Sequence, residues 1–436
     1  MNLSRSQLII IGSAVFLVLL LVGIFTGILP GTRQRQEALP QITLTVWGIN
    51  DRGLMQDFLE NYQAFRKNIQ INYEELSPET YEQQWINALA SGKGPDVIMF
   101  RNTWLPKHFS KLVTLDEKQL NLKSLKELFP TVIEQDFAPS GKIFALPLYI
   151  DTLALFYNQD VFDKNGIAVP PKDWLDFQNL IPKLRQLSGG KIVKSAAAIG
   201  GSEKTVANAS DLLMLLMLQA GAQMTNEEFT KATFSENIGN LFPGAGALEF
   251  YSKFSNPEED LYYTWDENQE YSLDNFAKGD TAMIFNYGSV KEAIKNKNPF
   301  LNFKASAMPQ LADSEKAVNY SNYWGLAVTN NSKNPGWAWD AILYLTVNEA
   351  AAENYVKSFN RPPALRSLIQ KYLNHPDLGV FAKQALSARS WPQVDSAAVK
   401  QIFSDMISAV ASGQLDAAAA VSQGERQITE LMQTRR

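Results

Sequence analysis

The chain has 436 residues, 45% of them hydrophobic and 19% charged, with a net charge of −5, no cysteine and two histidines. The absence of cysteine excludes disulfides, thiolate metal sites and cysteine nucleophiles, and no basic block suggests nucleic acid. The length exceeds what one hydrophobic core usually supports, so two lobes are expected.

From Leu8 to Leu29 the sequence is apolar and uncharged, long enough to cross a bilayer as a helix, and without a clear small-x-small cleavage signal. It reads as an uncleaved transmembrane anchor over residues 1–30. A polar stalk, Pro30 to Pro40, follows, making 31–40 a linker. Ile42–Trp47 alternates with period two and predicts a first strand. A helix is expected over Leu54–Phe65, a strand over Ile69–Tyr73, a helix over Tyr81–Ala90 and a strand over Pro95–Phe100. This alternation predicts a mostly parallel sheet flanked by helices, with ligands beyond the carboxyl ends of its strands.

Gly141–Pro147 runs as an apolar strand into a proline, and Ala154–Phe162 forms a second apolar strand with a short helix. Pro170-Pro171-Lys172-Asp173-Trp174 then acts as a brake. Asp211–Gly221 is apolar on nearly every face but too short to span a bilayer; it predicts a core helix capped by Asp211. Further on come Phe276–Gly288, Tyr323–Thr329, a helix over Trp337–Thr346, and the turn Asn360-Arg361-Pro362-Pro363-Ala364. Amphipathic helices over Asp395–Ser412 and Leu415–Met432 close the chain.

The stretches at 141–174, 211–221, 276–288 and 323–335 resemble, in order and spacing, the extracellular solute-binding proteins of family 1, the maltose-binding-like receptors of ABC importers. The resemblance implies an α/β, two-lobed periplasmic-binding-protein-like fold of type II. One lobe would be 41–147 with 309–356 and the other 148–308 with 357–436, Met308-Pro309 being a return crossing. It also implies binding by lobe closure, delivery of a solute to ABC permease subunits, no cofactor, and a monomer with its binding domain outside the membrane.

A sugar presents apolar C–H faces and a ring of hydroxyls, so its site needs flat aromatic surfaces beside carboxylates, amides and arginines. Candidates at predicted strand ends and turns are Trp47, Asn50, Asp51, Asn102, Trp104, Tyr149, Asp151, Asn286, Tyr287, Tyr323, Trp324 and Arg361. Each has a structural alternative, as core edge, helix cap or hinge contact. Trp85, Trp174, Trp337 and Trp339 are expected to pack, while Tyr262, Tyr263 and Trp265 form an aromatic cluster within reach of the cleft. His108 is expected on a helix surface and His375 in a turn, leaving no catalytic or metal constellation. Three other readings stay open: a sensing ectodomain without transport, a receptor for a polyamine, amino acid or glycerol phosphate, and a polysaccharide hydrolase.

Overall fold

A computed structural model describes residues 4–25 and 40–434. Arg5–Phe25 forms a helix of 21 residues. The rest of the expected anchor, most of the stalk and several side chains of this helix lie outside the described residues. Among the described residues no helix is long and apolar enough to cross a membrane.

The first sheet has the order Ile69–Glu75, Ile42–Gly48, Val97–Arg101, Trp324–Thr329, Leu112–Val113, with Leu146–Pro147 also pairing to Trp324–Thr329. Its first three strands are parallel and Trp324–Thr329 runs antiparallel to Val97–Arg101. Leu44 and Val46 point inward from alternating positions, whereas Val97–Phe100 is buried on both faces, as a central strand should be. Helix Arg52–Phe65 buries Met55, Phe58, Leu59 and Tyr62, one stripe at helical spacing, against this sheet.

The second sheet has the order Phe303–Ser306, Leu153–Asn158, Thr281–Tyr287, Lys191–Ala197, Gln186–Ser188. It is mixed rather than mostly parallel, since its one parallel pair joins Lys191–Ala197 to Thr281–Tyr287. Helix Ala209–Gln219 packs into its core with eight buried residues. Its N-cap is Asn208, in the left-handed region at φ 57°, and not Asp211, which sits in the first turn. The closing pair, Ser396–Ala411 and Ala417–Thr434, contributes Phe403, Ile407, Val421 and Ile428 to the same core.

Buried side chains fall into two clusters, one per sheet. The first passage between them is Leu148–Leu153, with Leu148 in one cluster and Leu153 in the other. The return comes later than Met308-Pro309: Met308 and Tyr320 belong to the second core, and Tyr323 to the first. The third passage is later still. Ala364, Leu368, Tyr372, Ala385 and Ala388 pack in the first core and Trp391 in the second, so the stretch expected at 357–436 divides between lobes. At this junction Asn319–Tyr320 pairs with Ala388–Arg389, and Thr152 bridges to Ser321. The hinge is a small three-segment weave.

Candidate ligand-binding cleft

The strand registers set the rims of the cleft. Arg101 ends the last parallel strand of the first sheet and faces Trp324, which opens its antiparallel neighbour, while Gly325 pairs with Pro147. In the second sheet, Leu153 pairs with Tyr287. Between these edges lies the passage Leu148–Thr152, the floor of the junction, with Leu148, Tyr149 and Ile150 packed on the first core.

Asp151 on that floor is buried, and its carboxylate accepts from the amides of Thr152 at 2.9 Å, Gly288 at 2.9 Å and Ser289 at 3.0 Å. Burial raises its pKa, opposed by the Arg361 charge and these three amides. It ties the crossing strand to the end of Thr281–Tyr287. A Cβ on Gly288 would come within 3.1 Å of the same carboxylate and 3.2 Å of the Phe381 ring, closer than ordinary contact. Tyr149 stacks on Tyr355 with centroids 6.2 Å apart, and the Arg361 guanidinium lies 5.3 Å from the Tyr149 ring centroid. Burial pushes the Tyr149 hydroxyl up to about 12. From the second lobe, Tyr287 donates to Asp211 at 2.6 Å, and Asn286 accepts from Asn208 at 3.0 Å. These contacts gather Tyr149, Asp151 and Arg361 beside the strand end that carries Asn286 and Tyr287, whereas the Trp324 ring meets Tyr81 and Trp104 of the first lobe.

Other sequence candidates are placed differently. Asn50 donates to the Tyr355 hydroxyl at 2.9 Å, and Asp51 caps Arg52–Phe65 by accepting from the Leu54 amide at 3.0 Å. Trp47 is half-buried, and its carbonyl accepts from Tyr81 at 2.9 Å. Trp104 is largely buried in a ring cluster, parallel to Trp85 at 6.3 Å and edge-on to Trp324 at 5.1 Å. Tyr323 has no exposed surface, so a ligand cannot stack on it. Its hydroxyl donates to Asp136 at 2.7 Å, and Asn102 donates to the same carboxylate oxygen at 3.0 Å.

Asp136 carried no signal in the sequence, yet it organises this corner. Ser390, on the third passage, donates to its other oxygen, and Gln135 donates to the Ser390 carbonyl. Burial raises the Asp136 pKa to about 6 despite these hydrogen bonds. A crevice of about 690 Å³ opens beside it, lined by Asn102, Lys111, Gln135 and Phe144 from the first lobe's side and by Phe229 and Pro392 from the other. Arg101 was also missed, because a lone arginine after a strand has no distinctive pattern.

Several side readings change. His108 is buried, not on a helix surface, and its Nε2 meets Glu82 at 2.7 Å. Burial lowers the His108 pKa; it works the other way on Glu82, whose carboxyl is nevertheless held at about 2 by hydrogen bonds from His108 and Lys107. Trp265 is wholly buried in the second core, and Tyr263 donates to Asp266 at 2.8 Å, so that aromatic cluster is structural. Trp391 is buried against Met214.

With two lobes and their junction described, the decisive observation is a sequence match. The pattern of the family described as "Bacterial extracellular solute-binding protein" matches residues 48–352, more than half of the chain. The chain belongs to this family. This solute-binding protein is 25% identical to the maltodextrin-binding protein MdxE of Bacillus subtilis, over 70% of this chain and 71% of that one. In fold it is similar to the sugar-binding protein MalE from Xanthomonas citri, with a TM-score of 0.75 and 18% identity over 90% of this chain and 98% of that one. A cyclic alpha-maltosyl-1,6-maltose binding protein from Arthrobacter globiformis superposes with a TM-score of 0.74 at 17% identity, over 90% and 99% of the two chains. The two-lobed α/β fold of the solute-binding protein is the one the sequence implied.

Proposed function

We propose that this protein is a membrane-tethered extracytoplasmic receptor that captures a sugar or oligosaccharide by lobe closure and passes it to an ABC-type permease. The observation that carries this reading is the junction itself, where tyrosine and tryptophan rings lie beside guanidinium, carboxylate and amide groups from both lobes. Rings match sugar C–H faces, and planar donors match paired hydroxyls. A ligand touching both rims binds the closed form better than the open one, and that difference drives closure. The saccharide-binding names of the relatives support the same class. The reading is of binding without turnover.

Tethering is read from the sequence, where Leu8 to Leu29 is apolar and uncharged; in the helix Arg5–Phe25 the side chains of Ile11, Val15, Phe16, Leu17, Val18 and Leu19 are exposed. At 1.5 Å per residue a helix over that whole apolar run would span roughly 30 Å, a hydrocarbon thickness. The test uses the full chain in detergent, screened by thermal shift against neutral and acidic sugars, amino acids and polyamines. A saccharide near saturation should raise the melting temperature by mass action. If only another class does so, the saccharide assignment fails. Alkaline washing of membranes should leave the chain in the pellet; release into the wash would remove the anchor.

A further inference from the structure

We propose that Asp136 is a positioning residue for lobe closure, fixing on the first lobe the points about which the second lobe turns. This rests on the lobe-closure reading above and deepens it; the test needs no ligand, so the saccharide assignment stands or falls separately.

Each passage between the cores is gripped by a buried aspartate. Asp151, on the first passage, follows Tyr149 and Ile150 of the first core, yet its carboxylate accepts from the amides of Gly288 and Ser289, between Tyr287 and Val290 of the second core. Its carbonyl accepts from the Asn322 amide of the second passage at 3.0 Å. Asp136 does the converse. It stands on helix Thr131–Phe137, which Val132, Ile133 and Phe137 hold in the first core. Its carboxylate accepts from Tyr323, where the second passage enters the first core, and from Ser390, one residue before Trp391 enters the second. Gln135 of the same helix donates to the Ser390 carbonyl.

The second and third passages also hold each other. Asn319–Tyr320 pairs with Ala388–Arg389, and the Ser321 amide donates to the Arg389 carbonyl at 3.0 Å. This short ribbon belongs by itself to neither lobe, since Tyr320 packs on the second core and Ala388 on the first. The helix Gly379–Ala385 before it is shared in the same way: Phe381 lies on the second core, Ala382 and Ala385 on the first. Its Gln384 donates to the Thr152 hydroxyl and to the Leu153 carbonyl, each at 2.9 Å. Asp136 and Gln135 therefore decide which lobe the end of the ribbon follows. A buried carboxylate is costly to leave without its donors, so Ser390 stays with the first lobe as the second swings. The backbone change is then confined to Ser390–Trp391 in the third passage and Ile150–Asp151 in the first, a hinge of very few residues. Without the tie it would spread back along the third passage, and the lobes would take a wider range of relative orientations.

The chain has no cysteine, so one spin label per lobe can be placed at exposed sites, Lys123→Cys on helix Leu122–Leu128 and Lys183→Cys on helix Trp174–Leu184. The distance between the labels is measured by pulsed electron paramagnetic resonance on the full chain in detergent, with no sugar added. Ser390→Ala should widen the distance distribution by about 1.5-fold or more. Gln135→Ala, at a half-buried position, should widen it as well. Ser390→Thr keeps the hydroxyl and should restore the parent width. Tyr263→Phe removes the hydrogen bond to Asp266 within the second lobe and should leave the width unchanged, whatever it does to the melting temperature. Parent widths in both Ser390→Ala and Gln135→Ala would overturn the proposal, even with lowered melting temperatures, because a contact that only stabilises its own lobe does not free the other. Equal widening by Ser390→Thr and Ser390→Ala would overturn it too, since the hydroxyl would then not be the pin.

Discussion

Asp136 shows how much one side chain can depend on its surroundings. Three donors from three chain segments converge on its buried carboxylate. Burial outweighs them and raises its pKa to about 6, against an ordinary value of 3.8. The sign follows from linkage. Between these values the folded state binds a proton that the unfolded state has released, so the contribution to stability is complete below pH 3.8 and lost as pH rises through about 6. A shift of this size corresponds to on the order of 2–3 kcal/mol. Asp136→Asn removes the titration. Comparing melting curves of the two proteins from acid to neutral pH should show the wild type losing stability, relative to the variant, across that window. Parallel profiles would mean that Asp136 does not titrate there. Tyr287 makes a simpler case: Tyr287→Phe leaves the Asp211 carboxylate short of a donor and should cost about 1–3 kcal/mol in urea unfolding.

Among elements, the strand Trp324–Thr329 is the most constrained, because it pairs with three others and lies beside the hinge. Gly325 faces Pro147 so closely that a Cβ would stand 2.4 Å from the Leu146 carbonyl oxygen and 2.8 Å from the Phe137 ring. Backbone cannot yield there as a flexible side chain would. Gly325→Ala should therefore destabilise the fold by about 1–3 kcal/mol and lower the melting temperature, without touching any group that faces a ligand. An unchanged melting point would show that the strand pair has slack. Elements of this kind were legible in the sequence wherever their periodicity was local. Ile42–Gly48, Ile69–Glu75 and helix Tyr81–Ala90 lie where alternation and spacing put them. The cap of helix Ala209–Gln219 was misread, since an Asp before an apolar run looks like a cap whether or not its backbone turns at the residue three places earlier.

At the scale of the whole molecule, the chain passes between the two cores near 148–153, 320–323 and 388–391, and the helix Gly379–Ala385 touches both, with Phe381 on the second core and Ala382 and Ala385 on the first. Such a junction can bend while both cores remain packed, which is the mechanical condition for closure. A saturating ligand should lower the radius of gyration of the chain by on the order of 1 Å in small-angle scattering, with secondary structure unchanged. No change in scattering on binding would mean a preformed cleft and a different basis for any handover to a permease.

Length, local periodicity, punctuation by proline and glycine, and the family resemblance determined the two-lobed α/β fold, the core helix and the strand that crosses between the lobes. These features depend on neighbours a few residues apart, which a linear pattern records. Only the tertiary structure decided that Arg101 stands beside Trp324, that Ser390 reaches Asp136, that Tyr323 is sealed from solvent, and that Ala364, Leu368, Tyr372 and Ala385 pack on the first core while Phe381 packs on the second. Those outcomes arise from closing loops of some two hundred residues, where burial and donor satisfaction, not sequence spacing, select the partner.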